Sequence, residues 1–149
     1  MKKLFLLCLV AAATAMAGCS EEGGTGINAR AITGVWRITR HVEQEKIDGK
    51  WVVVTDERYS SDGYLTAICP DGRFMYGDGE YNGLQSFEKY GVEYWVLRGN
   101  RFYITDIKGR IDDDPDWYDI YSLTSTSLTW GLAEDDYKLE EHYTKVANI

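Results

Sequence analysis

Basic residues, histidine, cysteine and enzyme signatures are all scarce in this chain. Sixteen Lys and Arg stand against 24 Asp and Glu, a formal net charge of −8 over 149 residues. So acidic a protein repels phosphate backbones and gains nothing from anionic lipid, which excludes a nucleic-acid partner and electrostatic docking on a membrane. The two histidines, His41 and His142, are far apart and lack any metal-ligand spacing, so each reads as a surface or strand residue. No Gly-x-Ser-x-Gly, P-loop or Cys-x-x-Cys is present, and nothing in the sequence asks for a catalytic role or a cofactor. Helical periodicity never persists beyond a few residues, and no repeat of fixed period appears.

The one long apolar run lies at the start. Lys2 and Lys3 precede it, it extends from Leu4 to Ala17, and Met16-Ala17-Gly18-Cys19 closes it. It is too short to cross a bilayer comfortably as a helix, which takes about 20 residues. The arrangement resembles a bacterial lipoprotein signal peptide. The resemblance implies that residues 1–18 are removed and that Cys19 carries two or three acyl chains of the palmitate kind. It also implies an outer-membrane lipoprotein facing the cell surface or the periplasm. Ser20-Glu21-Glu22 resembles the acidic tag that exports such proteins to the surface. One acyl chain binds a bilayer only marginally, whereas two or three give lasting attachment.

Without residues 1–18 the chain has 131 residues, and loss of Lys2 and Lys3 leaves 14 basic against 24 acidic side chains, a balance of −10. Residues 19–31 read as the lipidated cysteine and a glycine-rich tether. Residues 32–149 form one domain, large enough to bury a core. With Cys8 in the signal and Cys19 lipidated, Cys69 is the remaining thiol, and no disulfide braces the domain. Beside Pro70, it reads as a small buried residue at a strand end.

The domain alternates in short runs rich in Val, Ile, Thr, Tyr and Trp. Residues 34–42 place Trp36, Ile38 and Val42 on one face, and Val35, Arg37, Thr39 and His41 on the other. Asp48-Gly49 is a hairpin turn leading into residues 51–54. Pro70-Asp71-Gly72 joins strands at 64–69 and 73–77, with proline presetting φ and glycine allowing a positive φ. Residues 78–90 read as a loop or short helical turn. Further strands follow at 94–97, 101–105, 117–123, 128–130 and 137–146. The expected fold is all-β: an antiparallel up-and-down barrel of eight to nine strands.

Gly34-Val35-Trp36 is the Gly-x-Trp signature of lipocalins. Together with Asp71-Gly72-Arg73-Phe74, Gly99-Asn100-Arg101-Phe102-Tyr103-Ile104 and the run from Tyr121 to Trp130, it resembles the bacterial lipocalin-like domain lipoproteins over residues 32–146. The resemblance implies that Trp36 closes one end of the barrel beneath a basic side chain of the last strand, for which Lys145 is best placed. Lipocalins prefer arginine there.

Five Trp, eleven Tyr and four Phe are many for this length. Phe74 and Tyr76, Phe102 and Ile104, and Leu128 and Trp130 share faces pairwise. They are the candidate lining of a ligand cavity for a small apolar or amphipathic molecule. Asp112, Asp113, Asp114 and Asp116 form the sharpest acidic cluster. They lack the spaced ligands and glycine of a calcium loop, so a solvated hairpin tip is the simpler reading. A void of about 300 Å³ or more, open at one rim, fits a binding protein. A filled barrel fits an interaction or structural subunit of an envelope complex.

Overall fold

The computed structural model describes residues 26–149; the signal segment, Cys19 and the start of the tether lie outside the described residues. Within the segment expected to be tether, Asn28 caps a one-turn helix, α1 (Ala29–Ile32), by accepting a hydrogen bond from the Arg30 amide. Nine strands follow. They are β1 (Gly34–Ile47), β2 (Lys50–Arg58), β3 (Leu65–Ile68), β4 (Arg73–Gly77), β5 (Glu93–Arg98), β6 (Arg101–Thr105), β7 (Asp116–Leu123), β8 (Ser127–Ala133) and β9 (Tyr137–Ala147).

All neighbouring strands pair antiparallel, and β9 pairs back onto β1, so eight strands close into a barrel with β2 as an additional strand. The all-β barrel expected from the alternation is what the chain forms. β2 and β3 lie in line along the same edge of β1: Arg40 to Ile47 face β2, and Gly34 to Arg37 face β3. The excursion at residues 59–64 separates them. β2 therefore pairs on one side only and carries exposed Val52, Val53 and Val54.

The turns follow their chemistry. Asp48 at φ 51° and Gly49 at φ 76° supply the two positive φ angles of a tight hairpin turn. Gly72, at φ 91°, closes the β3–β4 turn.

The barrel interior is a continuous aromatic and aliphatic core built on Trp36, Ile38, Ile68, Phe74, Phe102 and Trp130. Ring pairs link it from wall to wall: Phe74 to Phe102 at 5.7 Å, Phe102 to Trp130 at 5.2 Å, and Trp95 stacked on Phe102 at 5.6 Å. A second, smaller core lies outside the wall. There Val35, Leu65, Ala67, Cys69 and Met75 meet Phe87 from the β4–β5 connection, which contains 3-10 turns at Leu84–Ser86 and Glu88–Tyr90. A Cβ on Gly77 would stand 2.6 Å from the Phe87 ring, so only glycine lets this connection fold down. Cys69 is buried as expected, and burial pushes its thiol up to about 11, away from nucleophilic reactivity.

One expectation for β1 is corrected. Ile38 pairs with Tyr143 but Arg40 pairs with His142, so Thr39 is an extra, bulged residue. The bulge reverses the alternation beyond it. His41, opposite Glu141, joins Trp36 and Ile38 on the inner face, and Val42 turns outward.

Candidate functional site: a tyrosine and carboxylate mouth

The two ends of the barrel differ in chemistry. At the closed end, Trp36 Nε1 donates to the Ile32 carbonyl at 2.8 Å, fixing α1 beneath the barrel. Lys145 Nζ lies 4.5 Å from the centre of the Trp36 ring and donates to the Thr33 carbonyl at 3.0 Å. The lysine thus ties the end of β9 to the indole and to the residue that follows α1. Burial lowers its pKa. Gly34 is required here: its φ is +146°, and a Cβ would stand 2.9 Å from the Ala147 carbonyl oxygen and 3.1 Å from Lys145 Cε.

The open end is polar and aromatic, and its centre is Glu141. In β9 the inward positions are Leu139, Glu141 and Tyr143, which face Leu132, Trp130 and Leu128 of β8. Glu141 is only 6% exposed, an unusual fate for a carboxylate, and its partners explain it. Oε2 accepts from Trp130 Nε1 and from the Tyr143 hydroxyl, both at 2.8 Å. Oε1 accepts from the Tyr64 hydroxyl at 3.0 Å and lies 3.1 Å from His41 Nδ1. The two tyrosine hydroxyls are themselves 3.0 Å apart. Charge-assisted bonds of this kind offset the cost of taking a carboxylate out of water.

His41 bridges two carboxylates, with Nε2 3.3 Å from Glu43 Oε1. Burial alone would lower its pKa, but the hydrogen bonds and charges of Glu141 and Glu43 outweigh that and raise it. Glu43 accepts from Tyr137 at 3.0 Å and Thr55 at 2.8 Å, tying β9 and β2 to the same cluster. Burial, followed by the charge of Glu141, pushes the Tyr143 and Tyr64 hydroxyls up, and burial with Glu141 and Asp116 nearby takes Tyr118 to about 12.

The expected ligand-lining residues divide. Phe74, Phe102, Ile104, Leu128 and Trp130 are at most 4% exposed and pack on one another as core, so they fill the barrel. Tyr76, on the same inner face as Phe74 and 5.0 Å from it ring to ring, stands at the top of that column and is 40% exposed. It reaches the mouth.

Asp112, Asp113, Asp114 and Asp116 do not come together as a cation site. Asp112 folds the β6–β7 connection by accepting from Thr105 Oγ1 at 2.9 Å and from the Asp106 amide at 3.0 Å. Asp116 instead pairs with Ile104 and takes an inner position at the rim. Among the described residues no group of three or more His, Cys, Asp or Glu is placed to hold a metal ion.

Concavities lie at both ends of the barrel. A cleft of about 170 Å³ opens at the rim between β7 and β8, lined by Asp116, Tyr118, Leu132 and Glu134. A wider groove of about 670 Å³ lies under the closed end, between α1, the β7–β8 turn and the end of β9, with Ile27, Leu123 and Lys145 among its walls. The groove is the larger, but it is outside the lumen and contains none of the converging polar groups of the mouth.

Sequence reasoning missed His41 and Glu141 as a pair. Glu141 did leave a signal: it is the one acid in the inward phase Leu139, Glu141, Tyr143 of an otherwise apolar strand face.

Fold and site together define a closed antiparallel β-barrel with a filled lumen and a polar, tyrosine-rimmed mouth. In comparisons with protein-family models, curated proteins and solved structures, none matched this chain.

Proposed function

We propose that this protein is a non-enzymatic, membrane-anchored lipoprotein of lipocalin-like type that holds a small amphipathic molecule at the mouth of its barrel. The observation that carries this reading is the buried Glu141, held by Trp130, Tyr143, Tyr64 and His41, with the exposed ring of Tyr76 6.3 Å from that of Tyr64. Few precisely placed polar groups above an apolar floor are what a small-molecule site requires. With Phe74, Phe102 and Trp130 occupying the lumen, the ligand sits at the rim and not deep inside.

The anchor fits this geometry. Seven residue steps separate Cys19 from Gly26, a reach of at most about 25 Å, and the described chain enters at the closed end beside Lys145. A lipid on Cys19 would hold that end toward an outer-membrane surface and leave the mouth facing away from the bilayer. Native mass spectrometry of protein extracted from its own membrane tests the binding role. A small molecule retained by the wild type and lost on Tyr76→Ala supports it; ligand-free protein with no uptake of fluorescent apolar probes contradicts it. Cys19→Ser should release the protein from membrane fractions, and continued co-fractionation would overturn the anchoring.

A second reading, an interaction subunit of an envelope complex, is favoured by one feature. β2 has a free edge and three exposed valines, Val52–Val54, as a strand-pairing partner would use. Loss of a co-purifying envelope protein on Val53→Lys, with small-molecule binding unchanged, would support it.

A further inference from the structure

The two ends of the barrel differ in sign as well as in shape. The rim cleft between β7 and β8 is lined by Asp116 and Glu134 and by no lysine or arginine. The groove under the closed end is lined by Arg30 and Lys145 and by no aspartate or glutamate. In a chain with 24 acidic against 16 basic side chains, a concavity of about 670 Å³ walled by two cations and no acidic side chain is an exception. Among the described residues no carboxylate, of a side chain or of Ile149 at the same wall, lies within ion-pair distance of either cation.

Both cations are nonetheless fixed in place. Lys145 Nζ gives two of its three N–H bonds to carbonyls, Thr33 at 3.0 Å and Ala31 at 3.5 Å, which leaves the third unused. Burial lowers its pKa, and no neighbouring carboxylate offsets that effect. Arg30 is exposed on α1, which the bond from Trp36 to the Ile32 carbonyl holds against the barrel. Beside these charges, Ile27 and Leu123 are partly buried against the barrel core, and Ile149 against the outer one. Each also lines the groove, so its remaining apolar surface faces that space.

We propose that the closed-end groove is a second binding site, for a free single-chain anionic amphiphile of the fatty-carboxylate class, with its head on Lys145 and Arg30 and its stem along Ile27, Leu123 and Ile149. The volume is in the range of small-molecule sites. A carboxylate there accepts the spare Lys145 N–H and the Arg30 guanidinium, charge-assisted bonds made in a partly desolvated place. It also supplies the counter-charge that Lys145 lacks. An anionic bilayer would face the whole chain, with its net charge of −8, whereas a single amphiphile inside the groove meets the local cations first. The groove and the mouth lie at opposite ends of the barrel, and either site can exist without the other.

Amide chemical-shift titration of the isotope-labelled full chain in phosphatidylcholine nanodiscs tests this with three probes of one chain length, octanoate, 1-octanol and octylamine. Octanoate should move the amides of Ile27, Leu123 and Lys145, bind at least about tenfold tighter than 1-octanol, and weaken in high salt. Octylamine should leave those amides unmoved. Lys145→Gln should weaken octanoate about fivefold or more. Arg30 is exposed, so Arg30→Gln gives a variant whose folding is not in question, and it should weaken octanoate about threefold. Equal binding of octanoate and 1-octanol, or octanoate binding unchanged in both variants, overturns the proposal. Groove shifts produced by phosphatidylglycerol nanodiscs and not by octanoate would assign the groove to bilayer headgroups and overturn it too. So would octanoate shifts confined to Tyr76 and Glu141, or no groove shift with any probe.

Discussion

Trp130 and Glu141 face each other across β8 and β9, and the indole Nε1–H donates to the carboxylate over 2.8 Å. This bond joins two parts of the molecule with different tasks. Below it the rings of Trp130, Phe102 and Phe74 fill the lumen; above it Glu141 organises the mouth. Removing the carboxylate leaves the indole, two hydroxyls and His41 without their shared acceptor in a site only 6% exposed. Glu141→Ala should therefore cost about 3 kcal/mol in urea unfolding. Glu141→Gln, which keeps an acceptor oxygen, should cost less. Equal losses for the two would show that cavity formation and not hydrogen bonding sets the penalty.

The His41 bridge predicts a pH dependence with a definite sign. Its pKa in the folded protein is raised above the ordinary 6.5, burial being outweighed by Glu141 and Glu43. Glu57, opposite His41 on β2, is engaged by the Tyr59 hydroxyl. The folded state therefore holds the His41 proton more tightly than the unfolded chain. That stabilisation is fully present below 6.5 and fades as pH rises through the higher folded value. Urea midpoints measured between about pH 5.5 and 8.5 should fall across this window in the wild type and fall less in His41→Gln. Identical slopes would exclude the bridge as their source.

The closed end makes its own prediction. Gly34→Ala places a Cβ against the Ala147 carbonyl and Lys145 Cε at a φ that side chains rarely adopt. It should cost about 2–4 kcal/mol. Lys145→Met loses the Thr33 hydrogen bond and the cation over Trp36, about 1 kcal/mol, and Lys145→Arg should restore most of it. Thermal unfolding of the three variants gives the order directly.

Much of this fold was legible in the alternation and turn residues, and particular residues show where legibility stopped. Asp48-Gly49 and Pro70-Asp71-Gly72 mark their turns because few residue types adopt those angles. Trp36 and Lys145 were placed by resemblance, and the structure brings them together. The Thr39 bulge carries no local signature, since threonine suits a regular strand equally well. One unseen residue moved His41 from the outer face to the inner. Phe87 was hidden in a polar loop, because its burial depends on Gly77, ten residues earlier. The ligand-lining candidates were chosen correctly as inward-facing, but pattern alone does not distinguish a side chain that lines a cavity from one that fills it. Tyr76 differs from Phe74 only by standing one inward step nearer the rim.

The central claim is that this barrel binds at its mouth and nowhere deeper. Amide chemical-shift mapping of the isotope-labelled chain, titrated with the amphipathic probe phenethylamine, tests it most directly. The account predicts shifts gathered on Tyr64, Tyr76, Tyr118 and Glu141, with Thr33, Trp36 and Lys145 unmoved. Shifts centred on the closed-end groove around Ile27, Leu123 and Lys145, or none at all, would contradict it.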